Sequence, residues 1–292
     1  IKAINEILND MNSEKAMNRM LQGDVGSGKT IVALIAMLVA IENGYQAALM
    51  VPTEILCEQH YSNIQNYLKN FNLNIRVLIG GQNKRLRNEI LEDIKEGRAN
   101  IVIGTHALIE ENVIFKNLSL IMIDEQHRFG VMQRAMLREK GIKADVLVMT
   151  ATPIPRTLSL TLYGDLDLSV INELPKGRKP IKTYLVKESD IDKLYSFVKK
   201  YVNKGYQVYI VYPLIEESEK LDLEAATIGY NMLREKIFPD LRIGLIHSKL
   251  FSYEKDEIMT KFKNKEIDIL VATTVIEVGI DVPNAIIMVI MN

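Results

Sequence analysis

The chain has 292 residues, and at ~150 residues per domain that length suggests two domains. Lys and Arg total 36 against 37 Asp and Glu, a formal charge of −1. This excludes a uniformly basic nucleic-acid coat but leaves room for a basic stripe on one face. Hydrophobic residues at 48% and charged residues at 25% exclude a disordered chain and supply apolar material for two cores. Cys57 is the single cysteine, so an intramolecular disulfide and a cysteine-built zinc site are excluded, and a reducing compartment is expected.

The chain opens in a helical pattern, and Asn18–Leu21 reads as a strand. A glycine-rich turn follows, then an apolar helix over Thr30–Glu42. Strands are expected at Ala47–Val51, Ile75–Ile79, Ile101–Ile103, Leu118–Ile123 and Val146–Met149, with helices at Ile55–Asn70 and Lys84–Glu96 between them. After Pro175–Pro180, where two prolines and a glycine mark an exposed linker, the rhythm resumes. A helix is expected over Ile191–Val202, strands at Gln207–Tyr212 and Arg242–Ile246, a helix over Tyr253–Lys263, and strands at Ile267–Val271 and Ala285–Ile290. The strand runs are apolar at successive positions, the pattern of strands covered by helices on both faces. No internal sequence repeat is visible. The longest apolar run, Ile31–Ile41, is far short of the ~20 residues of a membrane span, and neither membrane nor targeting segment is expected. Met17, Met20, Met122 and Met149 fall in or beside strands and are expected in the core. Lys261, Lys263 and Lys265 are expected on a solvated face.

Gly23-Asp24-Val25-Gly26-Ser27-Gly28-Lys29-Thr30 fits the phosphate-loop pattern GxxxxGK[ST], with a strand before it and a helix after it. Glycines let backbone N–H groups point inward around a phosphate, and the helix N-terminus adds partial positive charge. Lys29 then reaches the β- and γ-phosphates, and the Thr30 hydroxyl ligates Mg²⁺. Gly23, Gly26, Ser27 and Gly28 complete the cradle. The strand Leu118–Ile123 runs into Asp124-Glu125-Gln126-His127. A carboxylate at the carboxyl end of a parallel strand belongs beside such a loop. Asp124 suits Mg²⁺, and Glu125 suits the attacking water. ATP with Mg²⁺ is therefore the expected cofactor pair.

Residues 124–127, DEQH, resemble motif II of the superfamily 2 helicases and translocases. Pro52-Thr53-Glu54, Gly104-Thr105-His106, Thr150-Ala151-Thr152 and Ala272-Thr273-Thr274-Val275 with Gly279 and Asp281 resemble motifs Ia, Ib, III and V, in order. Longer stretches narrow this further. GDVGSGKT, DEQHRFGV, TATPIPRTL, YPLIEES and TTVIEVGIDVPNA are similar to the helicase core of the RecG family, the branched-DNA translocases. The transcription-repair coupling factor Mfd looks like a relative, and an Mfd-like double-stranded DNA translocase is the alternative reading, but DEQHRFGV with YPLIEES is more similar to RecG.

That resemblance implies an α/β fold of two tandem RecA-like P-loop domains with mainly parallel sheets, the second truncated. Residues 1–176 form the first domain, 177–180 the linker and 181–292 the second. It implies an ATP-dependent DNA translocase or helicase acting on replication forks and Holliday junctions in recombination and repair. By the same resemblance Gln126 and His127 sense the γ-phosphate, and Thr150 and Thr152 couple it to the second lobe. Thr53, Thr105, His106, Thr273 and Thr274 touch DNA backbone, and Gly279 and Asp281 meet the nucleotide from the second lobe. For the hydroxyls of Thr53 and Thr105, helix capping is the competing role. The implied partners are branched or duplex DNA, with single-stranded DNA and single-strand-binding protein beyond them. A monomer in the bacterial cytoplasm, associated with the nucleoid, is expected.

The family pattern departs at four places. No motif VI arginine follows motif V, since after Lys179 the only arginines are Arg234 and Arg242. A translocation hairpin and an N-terminal wedge domain are not found, and Ser248 stands where the family usually has Gly. Because an arginine finger is worth ~10³–10⁵ in rate, slow ATP turnover is expected of these 292 residues. A small-molecule P-loop kinase is the competing enzyme class, but a second lobe bearing motif V has no place in it. A nucleotide-gated DNA-binding fragment without turnover is the non-enzymatic alternative. Arg128 stays open between a functional role and a salt bridge.

Overall fold

The computed structural model describes residues 1–124, 137, 140, 141, 143–151, 166–173, 180–212, 219–247, 249–273 and 282–291. They fall into two compact units, Ile1–Lys179 and Pro180–Asn292, both α/β.

Among the described residues, the first unit is built on a sheet of seven strands, all paired in parallel. Its strands are β1 (Asn18–Gly23), β2 (Gln46–Met50), β3 (Ile75–Leu78), β4 (Ile101–Gly104), β5 (Leu118–Asp124), β6 (Asp145–Thr150) and β7 (Asp167–Ile171). They lie side by side in the order β3-β4-β2-β5-β6-β1-β7. The α-helices among its described residues are α1 (Lys2–Met11), α2 (Lys29–Glu42), α3 (Glu54–Tyr67) and α4 (Lys84–Glu96).

α2 is apolar almost all round and packs against β1, β2 and β5 as well as α1, burying Val32, Ala33, Leu34, Ala36, Met37 and Ala40. α1 is amphipathic and buries Ala3 and Ile7. It is held by Arg19 of β1, a buried arginine whose Nε donates to Asp10 Oδ2 at 2.6 Å and whose Nη1 donates to Ser169 of β7 at 2.9 Å. α4 closes at Gly97, φ 75°, the left-handed stop that glycine makes without strain. Its buried Asp93 accepts from Arg76 and Arg98, each at 2.7 Å.

The second unit has four described strands, β8 (Gln207–Val211), β9 (Ile243–Ile246), β10 (Ile269–Ala272) and β11 (Ala285–Ile290), all parallel in the order β11-β8-β10-β9. Its helices are α5 (Ile191–Val202), α6 (Glu219–Met232), continued by a π-turn over Leu233–Ile237, and α7 (Ser252–Lys263). Val208, Ile210, Ile269, Val271, Leu233 and Phe238 form its core.

The two units repeat one arrangement. β9-β10-β8-β11 matches β3-β4-β2-β5 in order and direction, and the correspondence extends to single bonds. Gln46 opens β2, and its amide nitrogen donates to the carbonyls of Ile94 and Ala99 at 3.0 and 2.9 Å. Gln207 opens β8 and donates to Phe262 and Ile267 at 2.5 and 2.8 Å. Gln46 N bonds Asn117 O at 2.8 Å where Gln207 N bonds Asn284 O at 2.7 Å. The sequence trace of this duplication is only the tripeptide Gly-Tyr-Gln, at 44–46 and 205–207, too short to register as a repeat.

Met17, Met20, Met122 and Met149 are all buried, as expected of core residues. The expectation that every apolar run has two covered faces fails at β11. Ile286, Met288 and Ile290 are at least half exposed and alternate with the more buried Ala285, Ile287 and Val289, because among the described residues only one face of β11 is covered. β7 and α6 were not anticipated. β7 is a short edge strand whose DLSVI sequence mixes polar and apolar residues.

Candidate functional site

The site forms where the carboxyl ends of β1, β6 and β5 share one edge of the first sheet. β1 ends at Gly23, and the loop from Gly23 to Gly28 carries the chain into α2. Gly26 and Gly28 have φ of 76° and 96°, a left-handed backbone that side chains disfavour. A Cβ on Gly23 would stand 2.5 Å from Ser27 Oγ and 3.1 Å from Ile171 Cβ, so glycine is needed there for space. Gly28 precedes α2 without any side-chain cap. The helix therefore keeps the electropositive N-terminus that binds anions.

The Lys29 ammonium arches back over the loop and donates to the carbonyls of Gly23 and Asp24 at 2.8 and 3.0 Å. Ser27 Oγ is buried with no hydrogen-bond partner among the described residues. An uncapped helix start, a left-handed glycine turn, a lysine over the loop and an orphaned buried hydroxyl together fit a polyphosphate. Thr30 sits in the first turn of α2.

Asp124 ends β5. Leu21 of β1 lies opposite Met149 of β6, and Met149 lies opposite Asp124. Two strand spacings, about 10 Å, thus separate the carboxylate from the strand that feeds the loop. That gap suits a phosphate and a hydrated divalent ion between them. Asp124 Oδ2 is held at 2.8 Å by Nε2 of His60 on α3, a residue sequence reasoning did not single out. Its signal was positional: His60 follows Leu56 and precedes Ile64 at intervals of four on the buried face of α3.

The other expected residues fall on strand ends. Thr53 caps α3, its Oγ1 accepting from Leu56 N at 3.3 Å, so the capping role is present. Thr105 follows β4 and is 3% exposed, while His106 beside it is exposed. Thr273 follows β10 and is 2% exposed. Thr105 and Thr273 hold equivalent places in the repeat. Their N–H groups donate to Leu78 O and Ile246 O at 3.4 and 3.3 Å, and both hydroxyls are buried with no partner among the described residues. Thr150 ends β6 and is buried. Glu125, Gln126, His127, Thr152, Thr274, Gly279, Asp281 and Arg128 lie outside the described residues. Among the described residues no cluster of three His, Cys, Asp or Glu could hold a metal by itself, and no helix is long and apolar enough to cross a membrane.

Residues 1–161 match the DEAD/DEAH box helicase family, and residues 189–292 match the helicase conserved C-terminal domain. The chain belongs to the DEAD/DEAH box helicase family, and its two parallel sheets are those of tandem RecA-like domains. Within that class it is similar to the ATP-dependent DNA helicase RecG of Synechocystis sp., 52% identical over 291 residues, which span 100% of this chain and 35% of the relative. RecG of Bacillus subtilis is also 52% identical over 291 residues, which span 100% of this chain and 43% of that relative. Among solved structures, RecG bound to a three-way DNA junction superposes with a TM-score of 0.83 at 47% identity, over 98% of this chain and 37% of that one. The DEAD-box helicase Mss116 bound to single-stranded RNA, at 21% identity and a TM-score of 0.66 over 97% of this chain and 62% of that one, shares the fold. The chain thus spans well under half the length of the RecG relatives it matches.

Proposed function

We propose that this chain is the ATP-driven motor core of a translocase that acts on branched DNA, replication forks and Holliday junctions among them, in recombination and repair. The observation that carries the reading is the glycine loop, opening an uncapped helix two strand spacings from the Asp124 carboxylate. The high identity to RecG, and the RecG structure bound to a three-way junction, support branched DNA as the substrate.

In this reading Lys29 neutralises charge on the β- and γ-phosphates of ATP. Gly23, Gly26, Ser27 and Gly28 cradle the phosphates with backbone N–H groups. Thr30 and Asp124 hold Mg²⁺, directly or through water, and the bound ion supplies charge neutralisation at the γ-phosphate. Glu125 orients the attacking water. Gln126 and His127 sense the γ-phosphate and pass its state to Thr150 and Thr152. Gly279 and Asp281 meet the nucleotide from the second unit.

The repeat supports two equivalent grips on the phosphodiester backbone, one at Thr53, Thr105 and His106 and one at Thr273 and Thr274. Hydroxyls and backbone N–H groups grip phosphate without reading bases, as a motor must. Because Thr105 and Thr273 are buried in this state, their hydroxyls reach DNA only after a local opening of the strand ends. A monomer in the bacterial cytoplasm accompanies this reading.

ATP hydrolysis by the full-length protein tests it, with a three-way junction, a plain duplex and a single strand compared. The junction is expected to stimulate turnover most. Hydrolysis indifferent to all three contradicts a DNA motor. A second reading, nucleotide-gated DNA binding with little turnover, is favoured for these 292 residues alone by the placement of their last arginines. Arg234 donates to Tyr230 Oη at 3.2 Å, and Arg242, at the amino end of β9, is paired with Asp268 at 2.7 Å. Both are thus engaged by partners within the second unit.

A further inference from the structure

We infer that His60 is a positioning residue for the metal-side carboxylate, fixing Asp124 from behind through α3. The inference rests on reading Asp124 as a Mg²⁺ carboxylate. His60 Nε2 stands 2.8 Å from Asp124 Oδ2. An ionised carboxylate only accepts, so the imidazole is the tautomer with its proton on Nε2. His60 is 7% exposed as a residue, and the Asp124 side chain is 15% exposed. The bond is therefore shielded from water and fixes one oxygen of the carboxylate, leaving Oδ1 for the ion or its water shell.

The other imidazole nitrogen, Nδ1, is buried with no hydrogen-bond partner among the described residues. A buried polar atom left unpaired costs ~1–3 kcal/mol, and a leucine there would fill the face between Leu56 and Ile64 without that cost. A histidine that serves packing alone is thus a poor choice, whereas one that aims a metal carboxylate has a reason to be polar. Outer hydrogen bonds of this kind orient metal-ligating carboxylates, and their loss typically lowers metal affinity ~10–100-fold.

The test compares His60→Leu, His60→Gln, His60→Asn and Asp124→Asn in the full-length protein. The readout is fluorescence of a labelled ATP analogue titrated at rising Mg²⁺, alongside its affinity in EDTA. His60→Leu is expected to raise the Mg²⁺ concentration for half-maximal tight binding about tenfold, with binding in EDTA unchanged. His60→Gln, whose amide nitrogen sits near the Nε2 position, is expected to recover most of the loss. His60→Asn is too short to reach Oδ2; it carries the same expectation as leucine and keeps the question answerable if the apolar variant does not fold. Wild-type Mg²⁺ dependence in both the Leu and Asn variants, with Asp124→Asn impaired, overturns the role of His60 and leaves Asp124 standing. Wild-type dependence in Asp124→Asn overturns the metal reading beneath it.

Discussion

At the scale of single residues the site is a set of constraints with different causes. Gly28 is required by backbone angle, since nothing lies within 4 Å of a Cβ placed there, whereas Gly23 is required by space. Gly28→Ala therefore strains the left-handed turn by ~1–2 kcal/mol, and ATP affinity should fall about tenfold in a binding titration; unchanged affinity would show that the loop tolerates another path. Cys57 is the opposite case, a fully buried thiol on α3. Burial, reinforced by Glu54 and Glu58, pushes its thiol up to about 12. It should resist thiol reagents at neutral pH in the folded protein and react once the protein is unfolded, as a colorimetric thiol assay reads. Lys29 and Asp124 stood out as candidates in the sequence because the chemistry proposed for them is tied to fixed spacing and strand ends. His60 did not, because its partner is 64 positions away and only the packing of α3 brings the two together.

Elements are held in register by buried polar groups at their ends. Gln46 and Gln207 each clamp a strand start to the turn that follows a helix, and replacing either by Ala takes the side-chain donor from a buried turn carbonyl, Ala99 O or Ile267 O, while Ile94 O and Phe262 O keep their backbone donors Gly97 N and Lys265 N. A loss of about 2 kcal/mol is expected for each, measured by denaturant unfolding, and equal stability of both variants to wild type would show these clamps to be dispensable. Arg76 and Arg98 act similarly on Asp93. Burial alone raises its pKa, but hydrogen bonds from Arg98 and Arg76 outweigh it and hold the carboxyl below its ordinary value of 3.8. A depressed folded pKa means the pair stabilises the fold fully above the unfolded value and ceases to do so as pH falls through the folded one. Asp93→Asn should accordingly flatten the loss of stability on acidification below about pH 5; an unaltered acid profile would count against the pair. Buried parallel strands such as β2 and β5 were readable because continuous apolar runs have few other uses. β7, with alternating polarity, and the glutamine clamps were not, since each depends on neighbours far along the chain.

The chain as a whole holds two α/β units with matching strand orders, one bearing the Gly23–Gly28 loop and each following a strand with a buried threonine hydroxyl, Thr105 and Thr273. The two-unit organisation was visible in length and in the Pro175–Pro180 segment. The duplication was invisible because the equivalent strands share few side chains, Gly-Tyr-Gln at 44–46 and 205–207 being too short a match to stand out. The central claim is that the loop at Gly23–Lys29 binds a triphosphate with the help of Asp124. The most direct measurement is equilibrium binding of a fluorescent ATP analogue with Mg²⁺ to wild type and to Lys29→Ala, each checked for intact folding by circular dichroism. Saturable binding in the wild type, lost in the folded variant, is the predicted result. Equal binding by both proteins would contradict the account.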